Sequence, residues 1–411
     1  MTQRQITFKP VLLKATGTPF ENLPTKENPV HLQGSGSDTV NSTPTLLLLG
    51  ENPQTSETVY VYGPSGENEI TVSAPAADVA DEINAGIGFG RHISSGSGKI
   101  AISAPYSDSK FYNESGTWIN TRYNTGAVYL YDKDNLNGSY VTIRANVADQ
   151  ELSHYQNFGL CTQIVGDKIY ISAPGYNSNF GAIYTYNLDG TNETKFESNS
   201  PLYFGEKFVV TDQYIFVGVS NHNSNKGAIY RYPLDWSSVE IIEPNVKITN
   251  GRFGKNFSVV GNKIYVAHQS TGTNHFYSFD LDGNNEQIIT AAGSTRLGYR
   301  GITATTSKVY VGSYSDNSVY AFDLNADGSV DPNNPLVISP DGLLSGDIFG
   351  YNLVAVESLN KLYVSAGGDD TQASNGGAVY IFDLDGTLIN KVNGTTVNGR
   401  LGQDIGTLSI A

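Results

Sequence analysis

The run Asp323-Leu-Asn325-Ala-Asp327-Gly328-Ser-Val-Asp331 places oxygen-bearing side chains at positions 1, 3, 5 and 9, with glycine at position 6. A hard cation takes carboxylate and amide oxygens arranged on such a sharp loop, so Asp323, Asn325, Asp327 and Asp331 are candidate calcium ligands. The run also stands where related stretches of the chain carry Phe-Asp-Leu-Asp-Gly, and a lengthened hairpin accounts for it too. A second constellation lies at residues 106–125, where Tyr106, Phe111, Tyr112, Trp118 and Tyr123 are set among Ser, Asn, Asp and Gly. Aromatic faces amid small polar groups make an adaptable binding surface, suited among other things to sugars. The other reading is a cover packed over a neighbouring element. Cys161 is the sole cysteine, which excludes an internal disulfide framework and a cysteine-based zinc cluster. It reads as a small buried hydrophobe. The six histidines show no H-x-x-x-H spacing, and His222 and His268 read as polar loop residues. No G-x-S-x-G, P-loop or kinase motif is present, so the residues point to no enzyme.

The elements that must carry these groups are set by a repeat. The stretch FGLCTQIVGDKIYISAPGYNSNFGAIYTYNLDG begins at Phe158, and related copies begin at Phe89, Phe204, Phe253, Leu297 and Phe349. The six starts are 69, 46, 49, 44 and 52 residues apart. Each copy reads as four short strands, called a to d here. Strand a follows Phe-Gly, strand b is typified by residues 168–172, strand c by residues 182–186, and strand d follows the Leu-Asp-Gly turn. Period-two alternation of β-branched and aromatic residues between Gly-Asp, Gly-Asn and Asp-Gly pairs is the signal for such hairpins. A period of roughly 40–50 residues with four strands marks the blades of a β-propeller.

The chain ends complete each other. The tail from Leu401 to Ala411 matches strand a and stops, whereas residues 44–72 match b, c and d without an a. Six full copies and one composite therefore predict an all-β, seven-bladed propeller over residues 43–411, with blade 1 completed by the strand at 401–411. Such closure removes exposed sheet edges from the ring seam. Residues 1–42 are left over as an extended N-terminal arm.

Phe-Gly opens five of the copies, and Ser-Ala-Pro ends strand b at residues 103–105 and 172–174. In these motifs the chain resembles the FG-GAP repeats of integrin α-chain propellers and of many bacterial and viral proteins. The resemblance covers about residues 44–411 and implies the propeller fold. It does not carry over that family's calcium loops, because the turn between strands a and b is the tight Gly166-Asp167-Lys168 and its equivalents.

Charge bounds the partners. Net charge is −15 and the isoelectric point is about 4.8, which excludes the basic stripe that a nucleic acid needs. The longest apolar stretch, at residues 46–49, is far too short to insert in a membrane. The first residues, MTQRQITFKPVLLKATG, lack the apolar core of a secretory signal. The arm carries Arg4, Lys9, Lys14 and Lys26 against Glu21, Glu27 and Asp38, one positive charge in excess, so the remainder stands at −16. Arg4, Lys9 and Lys14 lie beside Ile6, Phe8 and Leu12, a basic and partly apolar segment that reads as a docking arm. An arm folded back on its own ring, or a frayed end, is the other reading.

The function expected from these features is a non-enzymatic structural and interaction protein: a phage virion component of the tail, neck or fibre. Its arm would dock on other virion proteins while its propeller faces a host-surface glycan or protein. The expected location is the virion, after synthesis in a host cytoplasm. The alternative is a bacterial cell-surface or secreted adhesion protein of FG-GAP type. A propeller hydrolase acting on polysaccharide comes third, since it requires acids converging on the central channel.

Overall fold

The structure, a computed structural model, describes residues 45–50, 57–67, 69–75, 86–112, 118–152, 154–200, 202–268, 275–294, 296–299, 301–313, 315–402 and 404–409. They form seven four-stranded antiparallel sheets, each a meander with strand a innermost in the ring and strand d outermost. Blade 3 shows why these residues make strands. In Lys168–Ala173 the odd-even alternation buries Ile169 and Ile171 while leaving Lys168 and Tyr170 half-buried. That strand pairs with Thr162–Val165 on one side and with Ala182–Asn187 on the other. Thr194–Glu197 adds the fourth strand.

Blade 1 is the composite expected from the two chain ends. Asp404–Ser409 pairs antiparallel with Thr45–Gly50, from Thr45 opposite Ser409 to Gly50 opposite Asp404. Thr58–Tyr62 and Ile70–Ser73 complete that sheet. The a strands of blades 2 to 7 are Ile93–Gly96, Thr162–Val165, Lys207–Val210, Asn256–Val260, Ile302–Ala304 and Phe349–Val356. Each touches the next, and the first and last of the series both touch Asp404–Ser409, so the ring is closed.

The core lies between blades rather than at the axis. Val128, Leu130 and Ile143 of blade 2 pack against Ile169, Ile171 and Tyr184 of blade 3 in one buried cluster. Each such aliphatic or aromatic side chain contributes about 1.5–3 kcal/mol by leaving water. The Phe of each Phe-Gly pair belongs to this layer. Phe158 lies on Tyr184 with ring centroids 5.2 Å apart, and Phe89 on Tyr129, Phe253 on Tyr277 and Phe349 on Tyr380 repeat the contact at 5.3–5.6 Å.

The glycine that precedes strand c has a matching reason. Gly227 has φ of +88°, and a Cβ there would land on the backbone N and O of Phe253 in the next blade. The Phe-Gly of one blade thus passes directly over the strand c entry of the blade before it, where only a glycine leaves room.

Candidate functional site

The repeat places the residues that follow Phe-Gly or its Leu-Gly variant at one end of the central channel, two from each of blades 2, 3, 4, 5 and 7 and one from blade 1. They line a cavity of about 290 Å³. Blade 2 supplies Arg91 and His92, blade 3 Leu160 and Cys161, and blade 4 Glu206 and Lys207. Blade 5 supplies Lys255 and Asn256, blade 7 Tyr351 and Asn352, and blade 1 Asp404. An adjoining cavity of about 230 Å³ shares His92, Lys207 and Asp404 and adds Gly301 and Ile302 of blade 6.

The Ser of Ser-Ala-Pro holds these residues in place. The Ser103 hydroxyl accepts the His92 backbone N–H at 2.8 Å, and the Ser172 hydroxyl accepts that of Cys161 at 3.0 Å. Ser365, which opens a Ser-Ala-Gly at the same place in blade 7, does the same for Asn352 at 2.9 Å. The motif therefore ties the end of strand b to the start of strand a, where the chain turns into the channel.

Within the cavity, Cys161 Sγ and His92 Nε2 are 3.7 Å apart. The other ring nitrogen, Nδ1, accepts the Thr162 backbone N–H at 3.3 Å and lies 3.2 Å from its hydroxyl. A backbone N–H only donates, so in the neutral ring the proton sits on Nε2 and faces the sulfur. Burial alone would push the Cys161 thiol up. The His92 ring, Lys207 and the Phe208 backbone N–H outweigh that burial and bring the thiol down to about 7. Burial pulls His92 the other way, down, but Cys161 and Asp404 raise it above the usual histidine range against the opposing charge of Lys207. A thiol so placed reacts as thiolate near neutrality.

The acids of the cavity are already engaged. Glu206 accepts from the Ser220 hydroxyl and lies 3.9 Å from Lys255 Nζ, and Asp404 accepts the Ile93 backbone N–H at 2.7 Å. Among the described residues, neither Arg91 nor Lys207 has a carboxylate within salt-bridge distance. A chain with net charge −15 thus sets two cations outside any salt bridge in its axial cavity.

The residues singled out in the sequence fall elsewhere. Asp323 pairs with Lys308, and Asp327 accepts from the Ser329 backbone N–H at 2.9 Å and from its hydroxyl. Asp331 accepts from Asn333, and Asn325 donates to Ser329. Leu324 bridges Val330, so the run forms a lengthened hairpin between strands c and d whose side chains are engaged with Lys308, Ser329 and Asn333. Among the described residues, no group of three or more His, Cys, Asp or Glu side chains is placed to hold a metal ion.

Tyr106 lies just after strand b of blade 2, Lys99–Ala104, and its hydroxyl accepts from Arg91 Nε at 3.4 Å, which joins it to the channel site. Phe111, Tyr112 and Trp118 sit on a small hairpin, Ser109–Tyr112 paired with Trp118–Arg122, where Tyr112 lies opposite Trp118. The Tyr123 ring stacks on His154 with centroids 5.3 Å apart, beside Tyr155, which is 60% exposed. His222 bridges the Tyr230 hydroxyl at 2.9 Å and Glu243 at 3.3 Å, and His268 stacks on His275. The arm residues Arg4, Ile6, Phe8, Lys9, Leu12 and Lys14 lie outside the described residues.

The channel residues escape a motif search because they are what the repeat does not repeat. After the constant pair, the successive copies carry Arg-His, Leu-Cys, Glu-Lys, Lys-Asn, Tyr-Arg, Tyr-Asn and Gln-Asp. Variation confined to two positions of an otherwise regular repeat is the signal that would have found them.

Fold and site together define a seven-bladed β-propeller with a polar axial cavity. No family model matches the chain, and no curated protein does. Among solved structures it is similar to apo AztD from Citrobacter koseri, at 8% identity over 89% of this chain and 98% of that one, with a TM-score of 0.49. A second structure of Citrobacter koseri AztD shows 9% identity over the same shares, with a TM-score of 0.47. Neither likeness bears on ligand or activity.

Proposed function

We propose that the chain is a non-enzymatic structural and interaction protein, a phage virion component of the tail, neck or fibre. It carries a propeller of FG-GAP type and docks through its N-terminal arm. The observation that supports this best is the outer rim. Closure of the ring leaves strand d as the free edge of each blade, and on four consecutive blades that edge presents apolar side chains to water. Ile241, Ile288, Val337 and Leu388 stand 49–51% exposed there. Edge strands of soluble proteins are usually blunted by charge or proline, so an apolar rim fits a protein that works in contact with others.

Tyr155, beside the stacked Tyr123–His154 pair, adds an aromatic ledge suited to a sugar face or a protein loop on a host surface. That ledge serves a bacterial surface or secreted adhesion propeller equally well, and particle incorporation separates the two readings. The test compares the full chain with one lacking residues 1–40 in an assembling particle preparation, with circular dichroism and urea unfolding recorded on both. The expected result is a disc that stays folded but is no longer incorporated. A truncated chain that enters particles as well as the full chain does, or a full chain that is absent from them, overturns the proposal.

A further inference from the structure

The axial cavity joins two features that the rim and the arm do not explain. One is a pair of cations that form no salt bridge among the described residues: Arg91, which donates to the Tyr106 hydroxyl and feels the charge of Asp404, and Lys207. The other is a sulfur nucleophile. Cys161 is only 2% exposed yet lines this cavity, so the cavity is its route to solvent. His92 from blade 2 faces Sγ at 3.7 Å, Lys207 and the Phe208 N–H reach it from blade 4, and Ser172 of its own blade fixes its backbone. Asp404, from blade 1, acts on this set through His92 and on Arg91 directly. The cations select a ligand with negative charge, and the sulfur selects one with a thiophilic centre.

We propose that this end of the channel is a binding site for a small anionic disulfide, held by Arg91 and Lys207 and taken up on Cys161 by thiol–disulfide exchange. The Cys161 thiol first loses its proton to solvent, and the His92 Nε2–H stabilises the resulting thiolate. Sγ then attacks one sulfur of the ligand. A new S–S bond forms, the ligand's own S–S bond breaks, and the second sulfur leaves as a thiolate with the electron pair. The ligand itself is the oxidant, so nothing further is consumed. Cys161 is the only cysteine, and no second thiol in the chain can resolve the mixed disulfide. Uptake is therefore stoichiometric and lasts until an external thiol reverses it. This holds whether or not the chain is a virion protein.

A single thiol makes the test direct. The folded full-length chain is treated near neutral pH with the dianionic reagent dithiobis(2-nitrobenzoate) and, separately, with the neutral reagent dithiodipyridine. Released chromophore and mass gain are followed, and the same pair of rates is measured on the chain unfolded in urea. The expected result is one equivalent released, with the anionic-to-neutral rate ratio about tenfold higher in the folded chain than in the unfolded one, the order by which a charged cleft raises local ligand concentration. Lys207→Gln should remove most of that preference. Equal ratios in folded and unfolded chain, or release only after unfolding, overturns the proposal. The folded-versus-unfolded comparison stands even if the variant does not fold.

Discussion

Cys161 and His92 are 69 positions apart in the chain and meet only because two consecutive blades bring their a strands together at the axis. Spacing could not pair them. The sequence places Cys161 on strand a and buries it; the structure keeps the burial and starts the strand one residue later, at Thr162. What it adds is the His92 ring, which with Lys207 and the Phe208 N–H outweighs burial and lowers the thiol to about 7. His268 shows the same limit, since a loop histidine by sequence is 1% exposed in the structure and stacked on His275 with ring centroids 5.6 Å apart. Burial, then the charge of His275, pushes it down to about 4. In the unfolded chain it titrates near 6.5, so between those values the unfolded state binds a proton that the folded state does not. Stability should therefore fall as pH is lowered from about 6.5 to 4, by roughly 2–3 kcal/mol from this group. Urea unfolding at pH 7 and pH 4.5 checks it, with His268→Asn expected to show a smaller loss across that interval than the unmodified chain.

At the scale of elements, hairpin pairs and alternation made the four-strand unit legible, because a half-buried strand writes its burial into every second residue. The small hairpin in the 106–125 insert was not read as strands. Its two arms are short, and they pair with each other instead of joining a blade. The Asp323–Asp331 run shows a different ambiguity. Asp and Asn cap tight turns with the same oxygens that would bind a cation, so composition alone fits both readings. In the structure those oxygens hold the turn and Lys308. The strand c glycines are the most demanding local element. Gly227→Ala should cost at least about 2 kcal/mol, since a left-handed backbone and a collision with the Phe253 main chain act together. Urea midpoints measure this, and a variant as stable as the parent would mean that the two blades do not approach as closely as described.

At the scale of the whole molecule, counting unmatched half-repeats gave the number of blades and the seam, because a ring leaves one way to complete both ends. Which residues face the axis was not legible in the same way. That depends on where seven a strands converge, a relation among blades that no single copy contains. The seam also carries much of the stability. Asp404–Ser409 covers Leu47 and Leu49, both fully buried, and completes the circle of contacts between a strands. A chain ending at residue 403 should lose cooperative folding altogether, and a merely weakened monomer is not expected. Size-exclusion chromatography and limited proteolysis would show aggregate or rapid digestion. A monomeric, protease-resistant product would mean that the ring does not need its closing strand.

The register of that seam fixes how the disc answers to force. Thr45 and Ser409 face each other at one end of the antiparallel pair, and Gly50 and Asp404 at the other. Tension applied between the two ends of the chain therefore loads the hydrogen bonds one after another from the Thr45 end, a peeling geometry that yields at low load. A disc pulled by both its ends opens like a zip, beginning at the pair of Thr45 and Ser409.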